Sequence, residues 1–297
     1  SPLGALGGLD SRHAARSVGW ILATGCARWA GFSPRGAPGR CQPYPGPVEQ
    51  PTWETPEWHP TIDSTNLEAA RDPRPGRVVV AHHQSGGMGR RGRSWTAPPD
   101  TSVAISVVLS SPGPGRLGWV PLVAGLAVAE ALEHSRYAVP AVLKWPNDVL
   151  VREGEAWLKV CGVLAQAVHG ATGEPVVILG AGVNIDQTRD QLPVPTATSW
   201  RLARGGGAPL PDGAGEQLVS DYLDRLADRL GDLPGARTAY SRRCSTIGQL
   251  VRVHLPEGGE RTGTAVEIDP SGALVVEGDG RRTVHLAGDV VHVRPAG

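Results

Sequence analysis

Near residue 244 the hydrophobic pattern of this chain changes period, and one architecture cannot serve both sides of that point. From 244 to 297 five short strand candidates follow one another: Leu250 to Leu255, Thr262 to Ile268, Ala273 to Glu277, Thr283 to Leu286 and Val290 to Arg294. Turn residues separate them at Gly258-Gly259, Pro270-Ser271-Gly272, Gly278-Asp279-Gly280 and Gly288-Asp289. Five strands in about fifty residues predict a small β-barrel of SH3 type.

Residues 59–243 alternate instead. Arg77 to Ala81, Val103 to Leu109, Val142 to Lys144, Val149 to Val151, Cys161 to Val168 and Val176 to Leu179 read as strands. Leu117 to Leu132 is apolar on nearly every side, which suits a buried helix. Leu218, Tyr222, Leu226 and Leu230 recur at four-residue spacing and form a helical stripe. The pattern predicts a mixed α/β domain. Residues 1–58 are rich in Gly, Pro, Arg and Trp and predict a poorly ordered extension. The short apolar run Ser17 to Thr24, ending in Gly25-Cys26, reads as part of that extension, with an export signal or lipoprotein anchor as the alternative.

The chain has 297 residues, the length of about two ordinary domains, and at 40% hydrophobic it can bury a sizeable core. No run of eighteen apolar residues is present, so no membrane span is expected. Lys+Arg and Asp+Glu both number 29, which argues against a general binder of nucleic acid or anionic membrane. Cys26, Cys41, Cys161 and Cys244 are too scattered for a disulfide framework or a zinc site, and a reducing cytoplasm fits them best.

Lys144 and Lys159 are the two lysines among 29 basic residues, and Asn66, Asn147 and Asn184 are the three asparagines. In so arginine-rich a chain each lysine raises the question of whether a planar guanidinium would fail in its place.

The strongest local signal is Gly86-Gly87-Met88-Gly89-Arg90-Arg91-Gly92-Arg93-Ser94-Trp95, directly after a strand candidate. Its glycines allow close backbone approach, its arginines can gather oxyanions, and Trp95 can wall a ring. It is not a P-loop, because no Gly-Lys-Ser/Thr closes it, and a basic surface loop is the plain alternative. Lys144-Trp145-Pro146-Asn147-Asp148 reads first as an ordinary turn between two strands. Lys159 enters an apolar strand beside Gly162 and needs an anionic partner there or a solvent edge. Gly180-Ala181-Gly182-Val183-Asn184 reads as a tight strand and turn with room for a ligand, and Asp63-Ser64-Thr65-Asn66 as a helix N-cap. His82 and His83 read as surface or packing residues, and no spacing of His, Cys and acids predicts a metal site.

In this order and at these spacings the segments resemble the catalytic domain of biotin protein ligases. The resemblance runs from about 60 to 294 and includes Thr246-Ile247-Gly248 and Ala287-Gly288-Asp289-Val290 in the tail. It implies an α/β (α+β) catalytic domain at 59–243 of the biotin/lipoate ligase type and a C-terminal SH3-like β-barrel at 244–297. It implies an ATP-dependent enzyme that joins biotin to AMP and passes the biotinyl group to a lysine of a carboxylase carrier domain. By family position Lys159 and Arg90 would be catalytic, with Lys159 bridging the biotin carboxylate and the α-phosphate. Ser64, Thr65, Asn66, Gln84, Gly87, Met88, Gly89, Arg90, Lys159 and Gly162 would surround biotin. Arg90, Arg93, Trp95, Asn147, Asp148, Gly180 and Asn184 would serve ATP or the adenylate, with Mg²⁺ accompanying ATP. The partner would be a biotin carboxyl carrier protein, and family members often form homodimers.

Two departures from the family pattern stand out. Met88 occupies a position that is usually arginine, which implies activity with weaker retention of the adenylate. Residues 1–58 lack helix-turn-helix periodicity, so the DNA-binding domain of some relatives is not expected. A lipoate–protein ligase and a non-catalytic homologue that binds biotin or nucleotide are the alternatives; the C-terminal segment and Lys144-Trp145-Pro146-Asn147-Asp148 favour biotin.

Overall fold

The computed structural model describes residues 50–113, 115–255, 258–286 and 289–292. The expectations for 1–49, for Ala287 and Gly288 and for the end of the last strand beyond His292 lie outside the described residues.

The larger part is a seven-stranded sheet in the order β1-β2-β3-β7-β6-β5-β4. Its strands are β1 (Glu57–His59), β2 (Val78–Ala81), β3 (Ser102–Ser110), β4 (Ala141–Lys144), β5 (Asp148–Glu153), β6 (Ala156–His169) and β7 (Pro175–Asn184). All neighbours are antiparallel except β1 and β2, which run parallel. Residues 57–58, expected as the end of an irregular extension, therefore form part of the sheet. Trp53 is likewise anchored, its indole N–H donating to Leu223 O at 2.8 Å.

Strict alternation divides each strand between two faces. Val103, Ile105 and Val107 of β3, Cys161 and Val163 of β6, and Val177, Leu179, Ala181 and Val183 of β7 point into the main core. That core is covered by α2 (Val120–His134) and α4 (Ala214–Gly231), with α5 (Leu233–Arg243) alongside. In α2 every residue from Leu122 to Leu132 is buried, as its nearly continuous apolar pattern predicts, with Glu130 the one charged residue among them. The opposite face carries a small cluster of Ala69, Val79, Val108, Val176 and Ile178 beneath α1 (Thr65–Arg71). Beyond that cluster the same face bears Ala104, Ser106, Gly162, Gly180 and Gly182. Small residues on adjacent strands leave a depression there, and α1 forms one wall of it.

The C-terminal part is a five-stranded antiparallel sheet in the order β11-β10-β9-β8-β12. The strands are β8 (Leu250–His254), β9 (Glu260–Ile268), β10 (Leu274–Gly278), β11 (Arg281–His285) and β12 (Asp289–His292). Among the described residues this ladder is open between β11 and β12, so the expected barrel is present as a five-stranded sheet without a closing pair.

The two parts are joined by a seam of indole and backbone contacts. Trp119 Nε1 donates to Pro270 O at 3.0 Å and Trp145 Nε1 donates to Gly272 O at 3.1 Å. Arg237 stacks on Trp119 and also donates to Pro270 O. Gly272 sits at φ +88°, and a Cβ there would lie 2.7 Å from the Gly118 backbone. Trp145 of the Lys-Trp-Pro-Asn-Asp segment thus serves the seam, not a ligand. Ser245 N–H and Oγ both bond Leu143 O, so the connection covers the outer edge of β4.

Candidate active site

A cavity of about 310 Å³ opens on the small-residue face of the large sheet. It brings together Ser64, Thr65, Asn66, Gln84, Met88, Gly89, Arg90, Arg93, Trp95, Asn147, Lys159, Gly162, Gly180 and Asn184. These come from positions more than a hundred residues apart in sequence. Gly87 and Asp148 of the expected set do not line it.

One wall is a buried polar relay at the start of α1. Thr65 N–H donates to Gln84 Oε1 at 2.8 Å, and the Thr65 hydroxyl lies 3.1 Å from the same oxygen. Ser106 Oγ lies 2.7 Å from Thr65 Oγ1 and 2.6 Å from Asn66 Oδ1. Asn66 Nδ2 donates to Gln166 Oε1 at 2.6 Å. Ser106 and Gln166 escaped the sequence reading because a serine or glutamine interspersed among apolar strand residues carries no motif. Their only signal was a polar residue on an otherwise apolar or small-residue face. Ser64 occupies the N-cap position without a side-chain capping bond; it is buried and lines the cavity, and its hydroxyl is not spent on the helix.

The Gly/Arg segment is a folded hairpin and not a loose loop. Trp95 N–H donates to Gly87 O at 2.9 Å and Gly89 N–H to Arg93 O at 2.6 Å. A Cβ at Gly87 would come 2.5 Å from Trp95 O, so this glycine permits hairpin closure instead of ligand approach. Arg90 Nη1 donates to Asn147 Oδ1 at 3.1 Å, and Asn147 Nδ2 donates to Val163 O at 3.0 Å. Asn147 therefore ties the hairpin to β6. Met88 lies at the mouth of the cavity, 40% exposed.

Trp95 lies across the cavity floor. A Cβ on Gly182 would be 2.7 Å from Trp95 Cε2, and one on Gly162 would be 3.2 Å from Trp95 Cζ3. Gly180 accommodates a different neighbour: its Cβ would meet Asn66 Oδ1. The two glycines of the Gly-Ala-Gly segment thus make room for protein side chains that shape the site, and Gly182 was the one missed.

Lys159 reaches this space through an irregularity. Val149 pairs with Cys161, but Leu150 pairs with Lys159, which leaves Val160 as an extra residue in β6. Val160 and Cys161 are both fully buried on the core side. Such a bulge reverses the alternation on its far side. Lys159 therefore emerges on the face of Gly162, where a glycine Cβ would lie 3.1 Å from Nζ. Nζ pairs with Asp148 Oδ1 at 2.6 Å and stands 5.6 Å from the Trp95 ring centroid. Asp148 is thus a partner of Lys159 behind the lining.

Cys161, on the opposite face, is fully buried, and desolvation pushes its thiol up to about 12. Burial also raises the Cys244 thiol. A thiol whose pKa is raised carries little thiolate near pH 8, and thiolate is the reactive form. Both cysteines are therefore expected to resist a thiol reagent such as DTNB in the native protein and to react after unfolding in guanidinium. Rapid native modification mapped to Cys161 by peptide mass would contradict this.

The arrangement gathers cationic groups (Lys159, Arg90, Arg93) opposite buried hydroxyls and amides, over an apolar floor. It can hold an oxyanionic, partly apolar ligand and stabilise charge that develops at the Lys159 end.

Residues 58–184 match the Biotin/lipoate A/B protein ligase family, and residues 246–293 match the Biotin protein ligase C terminal domain. The chain is 38% identical over 224 residues to a biotin–[acetyl-CoA-carboxylase] ligase of Mycobacterium tuberculosis, covering 74% of this chain and 80% of that one. It is 32% identical to a protein of the same name from Paracoccus denitrificans, covering 77% of this chain and 96% of that one. In three dimensions it is similar to the biotin protein ligase of Aquifex aeolicus in complex with biotin and ATP, with a TM-score of 0.67 and 25% identity, over 82% of this chain and all (100%) of that one.

Proposed function

This chain belongs to the biotin protein ligase family, and from that premise we propose that it activates biotin with ATP and transfers it to a lysine of a biotin carboxyl carrier domain. In the first step a biotin carboxylate oxygen attacks the α-phosphorus of ATP, and pyrophosphate leaves. In the second the neutral amine of the acceptor lysine attacks the biotinyl carbonyl carbon, AMP leaves with the bonding electrons, and the nitrogen gives up one proton to solvent as the amide forms. The observation that carries the reading is the placement of Lys159 over Gly162, in one cavity with the hydroxyls at the start of α1 and the Gly/Arg hairpin.

The residues suit this chemistry. Bringing a carboxylate against a triphosphate sets anion against anion, so positive charge must stand at the meeting point. Lys159 takes that position, between the biotin carboxylate and the α-phosphate. Its slim ammonium fits above Gly162, where a guanidinium fork would crowd two oxyanions. Arg90 and Arg93 neutralise phosphate. Ser64, Thr65, Asn66 and Gln84 form the polar end for the ureido ring of biotin, with Ser106 and Gln166 holding Thr65 and Asn66 in place. Trp95 and the hairpin shield the mixed anhydride from water. The described residues offer no cluster of three His, Cys, Asp or Glu side chains. Mg²⁺ would arrive on the ATP phosphates, the usual way this ion is bound. Bound there, it would offset phosphate charge.

No helix among the described residues is long and apolar enough to cross a membrane. The buried free thiols Cys161 and Cys244 suit a reducing compartment, and the cytoplasm is our reading.

The deciding test is intact-mass spectrometry of a carrier domain incubated with the protein, biotin and Mg-ATP. A biotin-sized mass gain that requires ATP is expected. Absence of both mass gain and pyrophosphate release would reject the enzyme. Met88 supplies a second test. It presents no charge to the adenylate, so Met88→Arg is expected to slow release of biotinyl-AMP several-fold, about 1 kcal/mol for one added charge-assisted hydrogen bond. Dissociation measured by rapid dilution that is unchanged or faster would reject that role.

A further inference from the structure

β6 outruns its neighbour β7. The ladder between them ends at Cys161 and Val183, so β7 offers nothing to the backbone of Lys159. Residues 196–198 return to fill that place. Lys159 N–H donates to Thr196 O at 2.9 Å, and Thr198 N–H donates to Lys159 O at 2.8 Å. Both backbone groups of Lys159 are therefore satisfied by a connecting segment and not by a strand.

That segment is fastened by side chains. Asn184, the last residue of β7, donates from Nδ2 to Thr198 O at 2.9 Å. Its Oδ1 accepts from Gln187 Nε2 at 2.9 Å. Ser199 Oγ donates to Gln187 O at 2.7 Å. On the outer side Arg189 binds both Ala197 O and Glu153. Gln187 is 1% exposed and does not line the cavity. Its Oε1 is buried with no hydrogen-bond partner. A buried acceptor without a donor loses its hydration for no return. An apolar side chain of the same length would fill this space without that cost. What such a side chain lacks is the donor at Nε2.

We propose that Gln187 is a positioning residue for adenylate formation. By donating to Asn184 Oδ1 it keeps the Asn184 amide turned toward Thr198 O. The amide in turn keeps residues 196–198 on the backbone of Lys159, and the ammonium stays at its place above Gly162. Without Gln187 the Asn184 amide is free to rotate into the cavity it borders, and the return segment loosens. This inference rests on the proposed ligase reaction, and it extends that reading to a residue with no place in the cavity itself.

The test is Gln187→Met in the full chain, assayed by biotin-dependent exchange of labelled pyrophosphate into ATP. Methionine keeps the length and removes both the donor and the orphaned acceptor. A misplaced ammonium weakens the transition state more than the ground state, so kcat is expected to fall roughly tenfold or more while the KM values for biotin and ATP change little. The Tm should stay close to that of the wild type. In an Asn184→Ala background the same substitution should cause almost no further loss, because the two side chains act in series. Wild-type kcat in folded Gln187→Met overturns the proposal, as do fully multiplicative losses in the double variant or a lowered Tm with kcat intact. If Gln187→Met does not fold, Gln187→Leu is judged by the same criteria. Absence of exchange with the wild-type chain would instead overturn the ligase reading on which the proposal rests.

Discussion

Lys159→Ala is expected to slow biotinyl-AMP formation by roughly 10²–10³-fold or more while leaving the fold intact, the scale seen when one preorganised charge-stabilising donor is lost. The side chain is about one-third exposed, and its partner Asp148 keeps access to water, so the unpaired carboxylate left behind is tolerable. Lys159→Arg is the sharper control. It keeps the charge, yet the guanidinium must fit where Nζ lies 3.1 Å from the Cβ position of Gly162 and close to Trp95. It is expected to rescue little. Pyrophosphate exchange at saturating biotin and ATP, together with a thermal melt, measures both. Near-wild-type turnover in folded Lys159→Ala would remove Lys159 from the reaction.

Gly182→Val carries the second large effect. A single Cβ at this position already lies 2.7 Å and 2.8 Å from two atoms of the Trp95 indole, and valine adds two methyl groups beyond it. The strand itself should accept valine, which favours β structure over glycine. The side chain would project into the cavity and not into the core, because Val183 and Ala181 hold the core face. Trp95 must therefore leave the floor, and the ring that stands beside the Lys159 ammonium goes with it. Catalytic efficiency is expected to drop about a hundredfold, as for other displacements of about an ångström at a reacting centre. The unfolding midpoint should barely move. Full activity in this variant would show that Trp95 does not need its place on Gly182. A large loss of stability would place Gly182 in the structural core.

The residues that bear charge or hydroxyls were legible in the sequence because they come as dense local patterns. Asp63 to Asn66, the Gly/Arg segment and the Lys-Trp-Pro-Asn-Asp turn stand out against an apolar, arginine-rich background. The supports of those residues were not legible. Ser106 is one of three serines in the nine-residue β3, and only the antiparallel register of β3 with β7 brings it beside the Gly180 position that houses Asn66. Trp145 shows a different division of labour. It lies in the Lys-Trp-Pro-Asn-Asp turn, and its indole is fixed to Gly272 of the other sheet. Gly87 and Asp148 likewise stand one step behind the cavity, the first for hairpin closure and the second to hold Lys159.

The amino-acid sequence by itself determined the main alternation of helices and strands from β2 to α4, the run of short strands near the C-terminus, and the chemical types available to a site. Those follow from local periodicity and turn chemistry, which act over a few residues. Tertiary structure decided on which side of the sheet the chemistry would lie. Under unbroken alternation Lys159 shares a face with Cys161 and points into the core; one extra residue, Val160, turns it to the cavity. A bulge arises from how two strands pair, and pairing is a property of both strands together. The return of residues 196–198 to the Lys159 backbone is of the same kind, since it exists only once β7 has ended and Asn184 and Gln187 have met behind it.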